Sequence, residues 1–334
     1  MYAGVNTEIC GRDMRCLSSG AAPESIGKTA SIQFAARPRR RSGPAPEAPA
    51  RGTDTTVTQW RIHIGAHKTA TTHLQATLER ISEALRQDGV AVATMTQLRE
   101  ATGPLLRRPG LRARLMPRVP GSDLATVLGA LGRGADRVVL SEENWIGEAF
   151  EGAACPPYPD ATRRLSRIVQ ALPGRDVTLY LAVRHPAEFA SSVYAEALRH
   201  HPGKVDALRM RQYWLAAETP WSDLIARLQT ACPSAAIVVW RYETYRARRQ
   251  EITERLVGLN LPPLPEIDDP GLTVRPSPDD IAAAAPHRDR AAFHVLEGRF
   301  SLFSQAEYDR LTAHYAAECR LIAADPPRPN AGAL

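Results

Sequence analysis

Residues with anion-binding chemistry are concentrated in one short segment near position 65. An apolar run ends at Ile64, and a loop rich in small residues follows before an amphipathic stretch begins. Small residues let the backbone turn tightly, and the N-terminus of the next helix points free N–H groups at an anion. The loop is predicted to be a phosphate site, with a lysine charge and threonine hydroxyls as further donors. Its residues are Gly65, Ala66, His67, Lys68, Thr69, Ala70, Thr71 and Thr72.

A second segment, beginning near position 177, has the same arrangement. An apolar run ends at Arg184, Pro186 predicts the start of a helix, and Ser191 and Ser192 follow one to two turns into it. A guanidinium is always charged and binds phosphate oxygens through two parallel hydrogen bonds. A serine further along can add a hydroxyl donor. The segment therefore predicts a second anion site.

Together the two segments resemble the sulfotransferases that use 3′-phosphoadenosine 5′-phosphosulfate (PAPS). The first is similar to the family's 5′-phosphosulfate loop, in its bacterial His-Lys-Thr-Ala/Gly-Thr-Thr form. The resemblance implies that Lys68 meets the bridging oxygen next to the sulfo group, and that Thr69, Thr71 and Thr72 hold the 5′-phosphate. His67, inside the loop, is interpreted as another phosphate contact.

The second segment matches the family's 3′-phosphate site. Arg184 and Ser192 have its residue types and its eight-residue spacing, and Pro186 matches its Arg-x-Pro. The resemblance covers about residues 58–325. The Arg-Lys-Gly loop of the cytosolic small-molecule enzymes is not found, so the chain is more similar to the bacterial and carbohydrate-acting branches. The implied acceptor is a carbohydrate or small-molecule hydroxyl, and the implied co-substrate is PAPS, with no metal required.

A general base is needed to deprotonate the acceptor, and three residues are candidates. Glu142 and Glu143 follow an apolar run, where ligands bind in open α/β sheets. Carbohydrate sulfotransferases use a glutamate as base, and we choose Glu142. Strand alternation is expected to point the two side chains to opposite sides. His73, directly after the first loop, is the alternative, since its pKa is near neutral.

The elements that must position these residues alternate along the chain. Short runs rich in Val and Ile predict buried strands, and amphipathic stretches between them predict helices. This alternation favours a parallel sheet with helices on both sides. The resemblance likewise implies one P-loop NTPase-like α/β domain. Predicted strands are Trp60–Gly65, Val90–Ala93, Arg137–Ser141, Val177–Arg184 and Ala236–Arg241. Predicted helices are Thr71–Gln87, Ser122–Leu131, Asp160–Ala171, Pro186–Arg199, Val205–Leu228 and Ser304–Ala323.

Composition is typical of a globular protein, with 44% hydrophobic and 23% charged residues. Residues 1–57 are predicted to be a disordered, arginine-rich tail, residues 58–325 the domain, and residues 326–334 a second disordered tail. Neither a secretory signal nor an apolar run long enough to span a bilayer is found. Five scattered cysteines without CxxC spacing suggest reduced thiols, and we expect a cytoplasmic protein. The net charge of +6 is too small to predict nucleic-acid binding.

Two alternatives remain open. A P-loop kinase or NTPase would need a Gly-Lys-Ser/Thr loop and a magnesium-binding aspartate at a strand end, and the sequence shows neither. A non-catalytic protein could instead retain an anion pocket, although Lys68 and Arg184 are both present.

Overall fold

The computed structural model describes residues 58–106, 123–149, 156–174, 176–200, 205–267 and 276–324. The chain divides into two units, Met1–Asp54 and Thr55–Leu334, and the described residues belong to the second. The tails predicted at residues 1–57 and 326–334 lie outside the described residues.

Five parallel strands form the central sheet, in the order β2-β3-β1-β4-β5. Each predicted strand is present to within one residue at either end, so the predicted α/β class is confirmed. The strands are β1 (Gln59–Gly65), β2 (Val90–Ala93), β3 (Arg137–Ser141), β4 (Asp176–Val183) and β5 (Ala236–Arg241).

Helices cover both faces of the sheet, which explains why its strands are almost continuously apolar. In β3, Val138 and Leu140 point into one apolar cluster and Val139 into another. The helices are α1 (Thr71–Gln87), α2 (Met95–Leu106), α3 (Leu124–Leu131), α4 (Ala161–Ala171), α5 (Pro186–His200), α6 (Ala207–Ala216), α7 (Pro220–Ala231), α8 (Tyr242–Val257), α9 (Pro278–Ala284) and α10 (Gln305–Ala324). Helices α1 and α8 pack on the face of Val139, and α4, α5 and α7 pack on the other.

One predicted helix is wrong. The stretch Val205–Leu228 is two helices, because α6 ends at Ala216 and Pro220 begins α7. Proline has no backbone N–H and is favoured in the first turn of a helix, so it starts a new helix here. Three helices were not predicted, α2, α8 and α9. A short antiparallel hairpin of β6 (His294–Leu296) and β7 (Arg299–Ser301) was not predicted either.

Candidate functional site

The two predicted anion loops meet because their strands are neighbours. β1 lies in the middle of the sheet and pairs with β4 in parallel, so the loops after both strands leave the same edge. The Arg184 Nη1 donates a hydrogen bond to the carbonyl oxygen of Lys68 at 2.8 Å. A cavity of about 1320 Å³ opens at this edge, and both loops contribute to its wall. Ligands of open α/β sheets bind at such an edge, near the central strand.

Left-handed backbone shapes the first loop. Gly65 has φ +88°, and a Cβ there would lie 2.8 Å from the Cβ of Glu143, so only glycine fits. Lys68 and Ala70 have φ of 60° and 62° although neither is glycine. Such residues cost on the order of 1–3 kcal/mol each and cluster at functional sites. The Thr69 hydroxyl fixes the turn by donating to the Ala66 carbonyl at 2.5 Å.

Five residues of this segment line the cavity: Lys68, Ala70, Thr71, Thr72 and His73. Ala70 is the N-cap of α1 and has no side-chain acceptor. The first-turn N–H groups of α1 are therefore not capped by it and can serve an anion. The Lys68 ammonium lies 2.5 Å from Oε2 of Glu196 on α5. The His73 Nδ1 lies 2.9 Å from the Tyr245 hydroxyl.

The second loop presents Arg184 to the same cavity. Its guanidinium is nearly buried, pairs with Glu188 at 3.1 Å and lies over the Tyr242 ring at 4.6 Å. Ser192 lines the cavity one turn after Glu188. Ser191, also at the wall, accepts a hydrogen bond from the Leu302 amide at 3.1 Å and so anchors the hairpin segment. The structure thus brings Lys68, Thr71, Thr72, Arg184 and Ser192 together.

Four predicted loop residues do not line the cavity: Gly65, Ala66, His67 and Thr69. The His67 ring lies 3.0 Å from the Tyr158 hydroxyl through Nδ1 and 2.9 Å from the Asn144 side-chain oxygen through Nε2. Both ring nitrogens thus make hydrogen bonds to residues that do not line the cavity. In this geometry His67 supports the loop backbone, and its role as a phosphate contact stays a prediction.

Glu142 and Glu143 also lie outside the cavity wall. Arg99 on α2 binds Glu142 through two hydrogen bonds, at 2.8 and 3.1 Å, and Glu143 through one at 3.1 Å. The expectation that they point to opposite sides is therefore wrong, because β3 ends at Ser141 and a 3₁₀ turn begins at Glu143. Burial raises the pKa of Glu142, while Arg99 opposes the shift. The structure does not bring Glu142 next to Lys68, and its role as base stays a prediction.

Several cavity residues were not found from the sequence. The described wall carries seven Lys or Arg side chains and four Glu side chains, so its charge is positive. A sequence signal existed on α5, where Glu188, Ser192 and Glu196 are spaced by four residues and share one helix face. The charged, polar and aromatic wall residues missed by the sequence analysis are His185, Glu188, Glu196, Arg199, Arg241, Tyr242, Glu243, Tyr245, Arg246, Arg249, Glu266, Arg299, Phe300, Tyr308, Thr312 and Tyr315.

His185 and Glu243 brace the wall beside Arg184. The His185 amide donates to Glu243 at 2.7 Å, and the Tyr315 hydroxyl donates to the other oxygen of Glu243 at 3.0 Å. The His185 ring stacks on Tyr308 with centroids 4.6 Å apart. Burial lowers the pKa of His185, while the nearby Glu243 opposes the shift. These contacts hold the Arg184 end of the cavity in place.

Comparisons with known proteins give structural similarities but no sequence match. No family model matches the chain, and no curated protein matches it. The crystal structure of a sulfotransferase from Alicyclobacillus acidocaldarius is similar, with 16% sequence identity and a TM-score of 0.41. The match covers 82% of this chain and 98% of that one. A similarity of this size assigns no activity to this chain.

Two further findings concern the described residues. None of their helices has the length and apolar character that a bilayer span needs. Within the same ranges, no group of three or more His, Cys, Asp or Glu side chains is placed to hold a metal ion.

Proposed function

We propose that this protein transfers a sulfo group from PAPS to a hydroxyl group of a carbohydrate or small molecule. The observation that supports this most directly is the convergence of two separate anion loops on one cavity. PAPS carries anionic groups at both its 5′ and its 3′ position, and one loop would serve each. The cavity, at about 1320 Å³, exceeds the roughly 300–1000 Å³ of common ligand pockets. It therefore has room for the donor and an acceptor.

The 5′ group would bind at the first loop. Thr71 and Thr72 would donate from their hydroxyls, and the first-turn N–H groups of α1 would add backbone donors. Lys68 would bind the oxygen that bridges phosphorus and sulfur. The left-handed backbone at Lys68 and Ala70 fixes the conformation of this loop before the ligand binds. Binding therefore costs little conformational entropy.

The 3′-phosphate would bind at Arg184 and Ser192. Arg184 is fixed from several sides, by the Lys68 carbonyl, by Glu188 and by the Tyr242 ring. A guanidinium held in this way presents its N–H groups in one orientation, which suits bidentate phosphate contact. Because Arg184 also holds the Lys68 carbonyl, the two phosphate sites are mechanically linked.

In the proposed reaction the acceptor oxygen forms a bond to sulfur while the bond from sulfur to the phosphate oxygen breaks. Lys68 stabilises the negative charge that develops on the leaving oxygen, because its ammonium is placed at the loop that binds the phosphosulfate. The acceptor proton passes to a base on the protein. Glu142 and His73 are the bases predicted from sequence, and of these His73 lines the cavity.

The acceptor would occupy the part of the cavity that the nucleotide leaves free. Tyr242, Tyr245 and Phe300 add aromatic surface to the cavity wall. Aromatic side chains next to charged groups suit ligands that combine apolar faces with hydroxyl groups. This supports a sugar or a small hydroxylated molecule as acceptor.

Calorimetry with nucleotides tests the proposal. The product nucleotide, 3′-phosphoadenosine 5′-phosphate (PAP), should bind about 30- to 1000-fold more tightly than 5′-AMP. The second, charge-assisted phosphate contact accounts for roughly 2–4 kcal/mol of this difference. ATP is the control, since a kinase or NTPase would prefer it. Equal affinities for PAP and 5′-AMP would refute the proposed donor, and a preference for ATP would favour the kinase alternative.

A further inference from the structure

The four Glu side chains of the described cavity wall differ in the hydrogen bonds and ion pairs that they already make. Both oxygens of Glu243 are engaged, by the His185 amide and the Tyr315 hydroxyl. The Glu266 side chain is 91% exposed and lies 3.7 Å from Arg249 at the rim. Glu188 pairs with Arg184. The remaining one, Glu196, contacts the lysine at which we place the reaction.

Glu196 combines contact with Lys68 and access to the cavity. Its Oε2 lies 2.5 Å from the Lys68 ammonium, and its side chain is 43% exposed. No hydrogen bond from the described residues reaches its other oxygen. It lies on the helix face that also carries Ser192, so the helix directs it toward the proposed donor site. A carboxylate at this position lies next to the lysine of the proposed reaction, and one of its oxygens can accept a proton.

The same carboxylate competes with the donor. Lys68 can neutralise either Glu196 or the phosphosulfate, and the two anions would repel each other if both approached it closely. Binding of the donor therefore weakens the contact between Lys68 and Glu196. The Glu196 oxygen that contacted the lysine is then free to accept a proton, close to the position proposed for the sulfo group.

We propose that Glu196 shares Lys68 with the sulfo donor and, once displaced from it, accepts the proton of the attacking hydroxyl; this inference rests on the proposed function. The acceptor O–H bond breaks as the oxygen–sulfur bond forms, and its proton moves to a Glu196 oxygen. The bond between sulfur and the phosphate oxygen breaks, and Lys68 stabilises the negative charge left on that oxygen. Glu196 afterwards releases the proton to solvent and recovers Lys68 when PAP leaves.

The bases predicted from sequence are less well placed than Glu196. Glu142 is buried, bound by Arg99 through both oxygens and by the Asn144 amide at 2.8 Å. His73 lines the cavity, but its Nδ1 is engaged with Tyr245. Among the described residues it is Glu196, and neither Glu142 nor His73, whose side chain pairs with Lys68.

The test uses Glu196→Gln, which keeps the shape of the side chain and removes its charge. PAP should bind this variant about 1.5- to 5-fold more tightly, since a competing half-exposed ion pair is lost. Release of PAP from PAPS, with water as acceptor, should fall by about 100- to 10,000-fold. The loss should be smaller with 4-nitrophenol at mildly alkaline pH, because that acceptor is already largely ionised and needs no base.

Glu266→Gln is the matched control, since it removes a carboxylate from the rim of the same cavity. It should stay within about twofold of wild type in PAP affinity and PAP release, as surface substitutions usually do. Glu142→Gln and His73→Ala are measured in parallel. Thermal melting of each variant shows that it is folded.

The possible outcomes separate the two proposals. No PAP binding by the wild-type protein refutes the proposed function itself. PAP binding without release of PAP from PAPS, with both water and 4-nitrophenol as acceptors, refutes it as well. Normal PAP binding together with near-normal release by Glu196→Gln refutes only the role of Glu196. Unchanged PAP affinity in that variant refutes the sharing of Lys68. A large loss of PAP release confined to Glu142→Gln or His73→Ala would assign the role of base to that residue.

Discussion

Replacement of Arg184 by lysine tests whether the second loop is a phosphate site. The guanidinium donates to the Lys68 carbonyl at 2.8 Å, pairs with Glu188 at 3.1 Å and lies 4.6 Å from the centre of the Tyr242 ring. Lysine keeps the charge but has a single ammonium on a flexible stem. It cannot hold the loop carbonyl and a phosphate in the fixed fork that arginine provides.

The expected magnitude follows from these contacts. A hydrogen bond to a charged group contributes about 1.5–3 kcal/mol, and loss of the bidentate phosphate contact adds to it. We expect Arg184→Lys to weaken PAP binding by roughly 2–4 kcal/mol, or about 30- to 1000-fold. Binding of 5′-AMP should weaken much less, because it lacks the 3′-phosphate and is affected through the loop alone.

Calorimetry with both nucleotides measures the ratio of their affinities, which is insensitive to a general loss of stability. Arg241→Lys is the matched control. Arg241 ends β5, lines the same cavity and lies over an aromatic ring, that of Tyr315. It should leave the ratio of PAP to 5′-AMP affinity nearly unchanged, since no phosphate is assigned to it.

Two results would refute this reasoning. An equal loss for both nucleotides would show that Arg184 acts only by supporting the loop at Lys68. An unchanged PAP affinity would show that the 3′-phosphate binds elsewhere in the cavity, or that the protein does not distinguish the two nucleotides.

Three further predictions concern the first loop and its strand. Lys68→Ala should keep most PAP affinity but lose at least about 100-fold in PAP release from PAPS, and near-normal release would make Lys68 structural. Gly65→Ala should lower the free energy of unfolding in urea by about 2–4 kcal/mol, because its Cβ would lie 2.8 Å from that of Glu143 at φ +88°; a loss below the error of the titration would contradict this. Burial lowers the pKa of His63 from 6.5 to about 4. The unfolded chain therefore binds the proton first, and stability falls as the pH drops from 6.5 toward 4, by about 2 kcal/mol at pH 5. This pH dependence should be weaker in His63→Gln, and an identical dependence would refute the assignment.

The sequence alone determined the sheet and the position of both anion loops. Each strand is a short, mostly apolar run, and this pattern is local, so its ends could be predicted to within one residue. The loop after β1 was identifiable because residue type and spacing carry its chemistry. Arg184 and Ser192 were found in the same way.

Only the tertiary structure decided which side chains share the cavity. Contacts such as Lys68 with Glu196 join residues far apart in sequence, and no local periodicity encodes them. The orientation of Glu142 depended on Arg99, from a helix that the sequence analysis did not predict, and on a turn that ends the strand alternation at Ser141. Strand and helix patterns report burial along one element, whereas the partners of a charged side chain are set by how elements pack against each other.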